Sequence, residues 1–230
     1  MPAAQRAMVH AGLCDTCAAH LPWYDSARCP QCALPSPLGE VCGQCLRHPF
    51  AFDQTYTQLR YAYPLDRLLQ QFKYHQHLAW GALLASSMTT LKTALEYRTP
   101  ADSHSSPLPC ALLAMPMHSH RLQQRGFNHA LVLAQTLANA WHTPLLTRAC
   151  RRVLDTPSQA GLDMKTRTRN LRRAFVVDQP LTGLHVLLVD DVMTTGASMH
   201  ALALSCKQAG AVRVTALVLA RTLKEPESSR

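Results

Sequence analysis

The sequence predicts an α/β protein, a mostly parallel sheet covered on both faces by helices, preceded by a small cysteine-rich module. Three observations predict it. Short aliphatic runs alternate with longer stretches whose apolar residues recur every three or four positions, the pattern of strands joined by crossover helices. One run, Val186-Leu187-Leu188-Val189 behind His185, shows no polar alternation, as expected of a strand buried on both faces. Six of the nine cysteines fall before Leu46 as three Cys-x-x-Cys pairs, which sets that segment apart from the rest of the chain.

A length of 230 residues suffices for one well-buried α/β domain and a small appendage, and 47% hydrophobic residues exclude a disordered chain. The formal net charge of +9 favours phosphorylated ligands, nucleic acid or acidic membranes without choosing among them. No window reaches the roughly 18 consecutive apolar residues of a membrane span. The stretch MPAAQRAMVHAGLCDTC lacks the apolar core of a secretory signal, so a cytoplasmic location without a membrane span is expected.

The cysteine pairs are Cys14 with Cys17, Cys29 with Cys32, and Cys42 with Cys45. Each Cys-x-x-Cys turn presents two thiolates to one ion, and two turns close a tetrahedral Zn²⁺ site that lets a segment too small for its own core fold. Cys29, Cys32, Cys42 and Cys45 form the expected site, with the turn-forming LPSPLG between the pairs. Disulfides would require export. Cys14 and Cys17 are left to recruit His10 or His20, to stay free, or to displace another pair. Cys110, Cys150 and Cys206 read as small buried hydrophobes. A boundary near Phe50 divides a ribbon, 1–50, from the main domain, 51–230.

Helices are expected over Leu65–Phe72 and Leu78–Leu95, followed by the turn-rich connector Thr99–Pro109. Cys110–Met115 reads as a strand stopped by Pro116, and Phe127–Trp141 as a helix burying Leu131, Ala134, Leu137, Ala138 and Trp141. Short strands follow at Pro144–Thr147 and Phe175–Val177. Then come the His185–Val189 strand, a helix over Ala197–Cys206, and a last strand, VRVTALVLA.

Asp190 and Asp191 end the apolar strand and fall, with the following threonines, in the turn before the helix. Thr194-Thr195-Gly196-Ala197-Ser198 supplies hydroxyls, a glycine that lets backbone approach closely, and the free N–H groups of a helix start, a set suited to one phosphate monoester. The carboxylates beside it can accept from two sugar hydroxyls or hold Mg²⁺ with them. Phosphate beside a diol describes a ribose 5-phosphate. The other reading is an acidic turn with an N-cap. Neither G-x-x-x-x-G-K-[ST] nor G-x-G-x-x-G occurs in the chain.

VLLVDDVMTTGAS, Val186 to Ser198, resembles the phosphoribosyl-pyrophosphate (PRPP) motif of type I phosphoribosyltransferases. RGFN at Arg125–Asn128, TRTRNLRRAF at Thr166–Phe175 and the Cys-rich ribbon resemble the ComF family, over nearly the whole chain. The resemblance implies a type I phosphoribosyltransferase fold behind a zinc ribbon, PRPP with Mg²⁺ as ligand, and a link to natural competence and incoming single-stranded DNA. Fuller family members carry four Cys-x-x-Cys pairs, so Cys14 and Cys17 resemble half of a first ribbon. Met115-Pro116-Met117-His118 resembles the pyrophosphate loop, with Arg121 and Arg125 as cations for a diphosphate leaving group. Asn128 reads equally as a helix cap.

From His118 to Arg173 there are ten Lys and Arg residues and two acids. By resemblance the later part of this segment is a catalytic loop that closes over PRPP, with Thr156, Gln159, Arg167 and Asn170 at family positions and Arg167 catalytic beside Asp190 and Asp191. Any single arginine there reads also as a solvated charge. Two function classes follow. One is a phosphoribosyltransferase displacing pyrophosphate. The other is a non-catalytic module binding single-stranded DNA through Arg167, Arg169, Arg172 and Arg173, with Tyr56, Tyr61, Tyr63 or Tyr74 stacking on bases and the ribbon docking competence proteins.

Overall fold

A computed structural model describes residues 13–74, 78–98, 109–154 and 174–223. The order of elements is α1 (Asp15–Ala19), α2 (Gly43–Arg47), β1 (Gln54–Tyr56), β2 (Leu59–Arg60), α3 (Leu65–Tyr74), α4 (Leu78–Met88), α5 (Leu91–Arg98), β3 (Cys110–Ala114), α6 (Ser119–Arg125), α7 (His129–Trp141), β4 (Cys150–Arg152), β5 (Phe175–Val177), β6 (His185–Met193), α8 (Ala197–Gln208) and β7 (Arg213–Arg221). The main sheet runs β1-β7-β6-β3 with β2 also on β7, and every pair in it is parallel. This is the mostly parallel, helix-flanked sheet that the alternation of strands and helices predicts. Among the described residues no helix is long and apolar enough to cross a membrane.

The central strand β6 is buried between β3 and β7 because Val186 to Val189 offer no polar side chain to either face. Leu112, Leu113, Leu133, Leu137, Leu188, Leu217 and Val218 pack in the core around it. The α7 helix buries Leu133, Ala134, Leu137 and Trp141, while Leu131 and Ala138 are only half-buried, so its inward face is turned slightly from the expected one.

Four local expectations are corrected. β6 does not end at Val189: it pairs with β7 through Met193, so Asp190 and Asp191 stand inside the strand, and the turn is confined to Thr194–Gly196. The reason is β7, equally long, which supplies Val218, Ala220 and Arg221 as ladder partners. The expected helix over Leu78–Leu95 breaks at Thr89-Thr90 into α4 and α5, with the Thr89 hydroxyl donating to Ser86 O at 2.7 Å. The expected strand at Pro144–Thr147 is reduced to a bridge at Leu145, where Leu112 N donates to Pro144 O and Leu146 N to Leu112 O. Pro144 has no N–H to extend the pairing. Phe175–Val177 is a strand, but it pairs antiparallel with β4, off the main sheet. Cys206 is buried and Cys150 half-buried as expected of small hydrophobes, whereas Cys110, at the first position of the outer strand β3, is exposed.

The cysteine module is sewn onto the β1–β2 edge of the sheet. Trp23 bridges Leu59 antiparallel, Tyr24 N donates to Gln58 O, and the Arg28 guanidinium donates to Thr57 O at 2.6 Å.

Candidate functional site

At the carboxyl ends of β3 and β6 lies a cleft of about 140 Å³. Asp190 and Asp191 line it with carboxylates, Ser198 with a hydroxyl, and Lys73, Arg121, Arg125 and Arg152 with cations. Met115, Pro116 and Met117 supply the apolar side. Carboxyl ends of parallel strands are where such sheets bind ligands, because side chains and loops converge there beside free helix N–H groups.

Each acid is held by the strand it stands in. Asp190 Oδ1 accepts from Asp191 N at 2.9 Å, and Asp191 Oδ1 accepts from Val192 N at 2.7 Å. The other Asp191 oxygen, Oδ2, takes Lys73 Nζ at 2.7 Å, with the two side chains 12% and 21% exposed. Burial opposes the Lys73 charge, but the Asp191 carboxylate outweighs it, and the ammonium is held above its ordinary range. Asp190 has no such ion pair among the described residues. Burial, then the Asp191 charge beside it, raise its carboxyl to about 7. One acid of the pair therefore carries a built-in ammonium partner, and the other is poised near neutrality.

The opposite wall is braced by α6 and α7. Asn128 caps α7, its Oδ1 accepting from Ala130 N at 3.0 Å and Leu131 N at 3.4 Å, while its Nδ2 donates to Met115 O at 3.0 Å. One amide thus ties a helix start to the end of β3. The Arg125 guanidinium lies 5.5 Å from the Tyr74 ring centre. His129 is buried with ring centres of Phe127 at 4.8 Å and Phe72 at 5.2 Å, and burial lowers its basicity, so it is a neutral part of the lining.

The structure brings Asp190, Asp191, Ser198, Met115, Pro116, Met117, Arg121 and Arg125 around one cleft. Thr194, Thr195 and Gly196 form the turn into α8, which Ala197 begins, and none of the four is among the lining residues. Gly196 has φ +81°, the left-handed conformation that a glycine adopts without strain, and Thr195 Oγ1 accepts from Ala197 N at 3.3 Å. Met115 N–H donates to Val189 O at 2.8 Å and prolongs the β3 ladder, in line with the strand expected over Cys110–Met115. Arg167, Arg169, Arg172 and Arg173, with Thr156, Gln159 and Asn170, lie outside the described residues. Lys73 and His129 are additions that the sequence does not suggest. The one available signal is a lysine between Phe72 and Tyr74 at the end of an amphipathic helix.

In the cysteine module the Sγ atoms of Cys29, Cys32, Cys42 and Cys45 lie within 4.8 Å of one another. Cys32 and Cys42 sulfurs are 3.7 Å apart, close to the roughly 3.8 Å edge that Zn–S bonds of about 2.3 Å give a tetrahedron. Burial opposes ionisation of Cys29, but N–H groups of Cys32, Cys42 and Gln31 outweigh it and bring the thiol down to about 7. Burial pushes Cys32 up to about 11, and burial together with the Cys32 sulfur raises Cys45 further. Four such thiols become thiolates together only around a cation, which is the chemistry of a structural Zn²⁺ site. Cys14 and Cys17 are exposed, and among the described residues no third ligand joins them. His20 Nδ1 is within 2.7 Å of Thr16 O, and His10 lies outside the described residues.

Comparison with known proteins agrees with this anatomy. A family profile described as a double zinc ribbon domain matches residues 4–46. The DNA utilization protein YhgH of Salmonella typhi is 35% identical over 94% of this chain and 93% of that protein. Competence protein F of Haemophilus influenzae is 31% identical over 78% of each chain, and competence protein ComFC of Bacillus subtilis 24% identical over 82% of this chain and 75% of that one. With a cysteine ribbon docked on a parallel sheet, and relatives of this identity spanning nearly its whole length, the chain belongs to the ComF family.

Proposed function

We propose that the cleft binds PRPP or a related ribose 5-phosphate with Mg²⁺, in a protein that serves competence or DNA utilisation as its relatives' names state of them. The observation that carries this reading is the charge arrangement: two carboxylates on one strand share a cleft with Ser198, with Arg121, Arg125 and Arg152, and with Lys73, which pairs directly with Asp191. Carboxylates alone would suit a cation and arginines alone an anion. Both together suit a ligand with a diol at one end and phosphates at the other.

In this reading Asp190 and Asp191 accept from the ribose hydroxyls, the Thr194–Ser198 turn holds the 5-phosphate on backbone N–H groups, and Arg121 and Arg125 take the diphosphate. Mg²⁺, held by the ligand's oxygens and by Asp190, would neutralise charge gathering on the leaving diphosphate. Arg167 supplies a further cation from the basic segment. The test is calorimetric titration of PRPP with Mg²⁺ into the wild type and the Asp190→Asn, Asp191→Asn double variant. Saturable binding that the variant loses supports the reading; binding retained by the variant, or absent from both, removes it.

A second reading, a single-stranded DNA module with the ribbon as a protein-docking surface, is favoured by two observations. Tyr63 and Tyr74 are 78% and 65% exposed, with Arg125 stacked on Tyr74 beside the cleft. On the ribbon, Leu38 and Leu46 are likewise open to solvent. Replacing Arg167, Arg169, Arg172 and Arg173 by alanine then weakens single-strand binding and flattens its salt slope, by about 0.7 for each phosphate no longer neutralised. An unchanged slope excludes these arginines as the groups that grip DNA.

A further inference from the structure

The Cys29-Pro30-Gln31-Cys32 knuckle offers three consecutive carbonyls to the rest of the chain, and each has a donor. Pro30 O accepts from Thr55 N at 2.9 Å, Gln31 O from Thr55 Oγ1 at 2.5 Å, and Cys32 O from Arg221 Nε at 2.8 Å. Arg221, the last residue of β7, is 2% exposed and has no carboxylate partner among the described residues. Its Nη1 donates to Met193 O at 2.8 Å, to Thr222 O at 2.9 Å and to Thr194 O. A single buried guanidinium therefore grips the backbone of a zinc-ligating cysteine and the two residues that enter the Thr194–Ser198 turn.

The far side of that turn is held by the same knuckle. The Phe50 ring lies against Gly196, where an added Cβ would meet Cε1 at 3.1 Å. Phe50 stacks on Phe52 with ring centres 4.7 Å apart, and Ala51 N donates to His200 Nδ1 at 2.9 Å on the first turns of α8. The Gln31 side chain fixes this segment, donating to Phe52 O at 3.2 Å and accepting from Phe50 N at 3.3 Å. Arg221 and Phe50 thus bracket the turn, and both are held by residues of one Cys-x-x-Cys loop.

We propose that the zinc knuckle sets the shape of the Thr194–Ser198 turn through Arg221 and Phe50, with Arg221 as the positioning residue, so that metal in the ribbon and an anion at the turn stabilise each other. The physical reason is acceptor supply. A buried guanidinium that loses a carbonyl must find another or move, because an unpartnered buried charged donor is costly. When the knuckle relaxes without metal, Cys32 O shifts, and the carbonyls sharing the same guanidinium, Met193 O and Thr194 O, shift with it. Coupling of two sites through one element is reciprocal, so ligand at the turn must also retain the metal. The ligand arm of this inference rests on the reading of the turn as a phosphate site; the zinc arm does not.

The experiment uses the full chain loaded with Zn²⁺. Amide hydrogen exchange is followed in peptides covering 193–204, 29–34 and 186–189, before and after stripping the metal with a chelator, and transfer of zinc to a chromophoric chelator is timed with and without PRPP and Mg²⁺. We expect stripping to speed exchange in the 193–204 peptide by at least about fivefold, the lower edge of ordinary coupling, while 186–189 stays protected, and PRPP to slow zinc transfer by a similar factor. Arg221→Gln should keep its zinc and lose both effects. Exchange at 193–204 that is unchanged by stripping, or that rises only together with 186–189 in general unfolding, overturns the proposal. Loop exchange that responds to zinc in a protein that does not bind PRPP upholds the coupling and removes the phosphate reading instead. Should Arg221→Gln not fold, the wild-type comparison decides alone, with Phe50→Leu as the second variant.

Discussion

Replacing Lys73 with methionine tests the electrostatics of the cleft most directly. The substitution keeps the length and apolar stem of the side chain, and removes the ammonium that sits 2.7 Å from Asp191 Oδ2. Asp191 then keeps its bond from Val192 N but loses the ammonium that balances it, with Asp190 still adjacent. Breaking a buried pair by removing one partner costs about 3–5 kcal/mol. Both groups here retain access to solvent, 12% and 21% of their side chains, so a discounted cost of about 2 kcal/mol is expected. For a chain of this size that lowers Tm by about 4–8 °C. The sign with pH follows from Lys73, whose ammonium Asp191 holds above its ordinary value of 10.5, so the pair's contribution is full below that value and is lost as pH rises through the raised one. Thermal unfolding of variant and wild type at pH 7, 8 and 9 should give a constant Tm gap, which narrows above pH 10.5. A gap that is absent at pH 8, or that widens above pH 10.5, would refute the pairing and its sign.

Other outcomes follow from the same geometry. Asp190→Asn should be more stable than wild type, by an amount that grows from pH 5 to about pH 7 and then levels off, because an acid raised to about 7 opposes folding once it ionises; thermal unfolding across that range checks it. The same variant should lose PRPP binding, so that stability and ligand affinity move in opposite directions. Cys32→Ser should release its zinc to a chelator and lower Tm, whereas Cys17→Ser should retain it, as metal analysis of gently purified protein will show. Asn128→Asp keeps the acceptor for Ala130 N but has no N–H for Met115 O, and should cost about 1 kcal/mol in thermal unfolding, while Asn128→Ala costs more.

Much of the site is legible in sequence because its parts are local. Two Cys-x-x-Cys turns announce a metal by spacing alone, and the acidic pair and the Thr-Thr-Gly turn lie within seven positions of one another. The parallel sheet follows from the uninterrupted apolar run before Asp190. What escapes a reading of the sequence is whatever the fold brings from far away. Lys73 stands on α3, more than a hundred positions from Asp191, and only the closing of α3 onto the sheet places its ammonium. Arg221 falls just past the last expected strand, VRVTALVLA, with nothing in the sequence to mark it as buried; contacts with the ribbon and with the 193–194 carbonyls make it a core residue. The end of β6 is hidden for a similar reason. Carboxylates usually signal a turn, but here each bonds a neighbouring backbone N–H, and β7 supplies the ladder that carries the strand past them.

The two walls of the cleft differ in how they are built, and this bears on how such a protein can diverge. The acids stand on an inner strand, β6, which pairs with β3 up to Val189 and with β7 through Met193, so a change of position would disturb both ladders. Arg121 and Arg125 stand on a seven-residue helix with no buried side chain, and Asn128, three residues past its end, ties that end to β3 through Met115 O. Selection can rework that helix cheaply, in sequence or in length, while the acids stay in register. Descendants of one ancestral protein would thus be expected to share the acidic half of the cleft and to differ in the basic half. Grafting α6 and its flanking loops between relatives is the natural way to exchange their preferences without rebuilding the sheet.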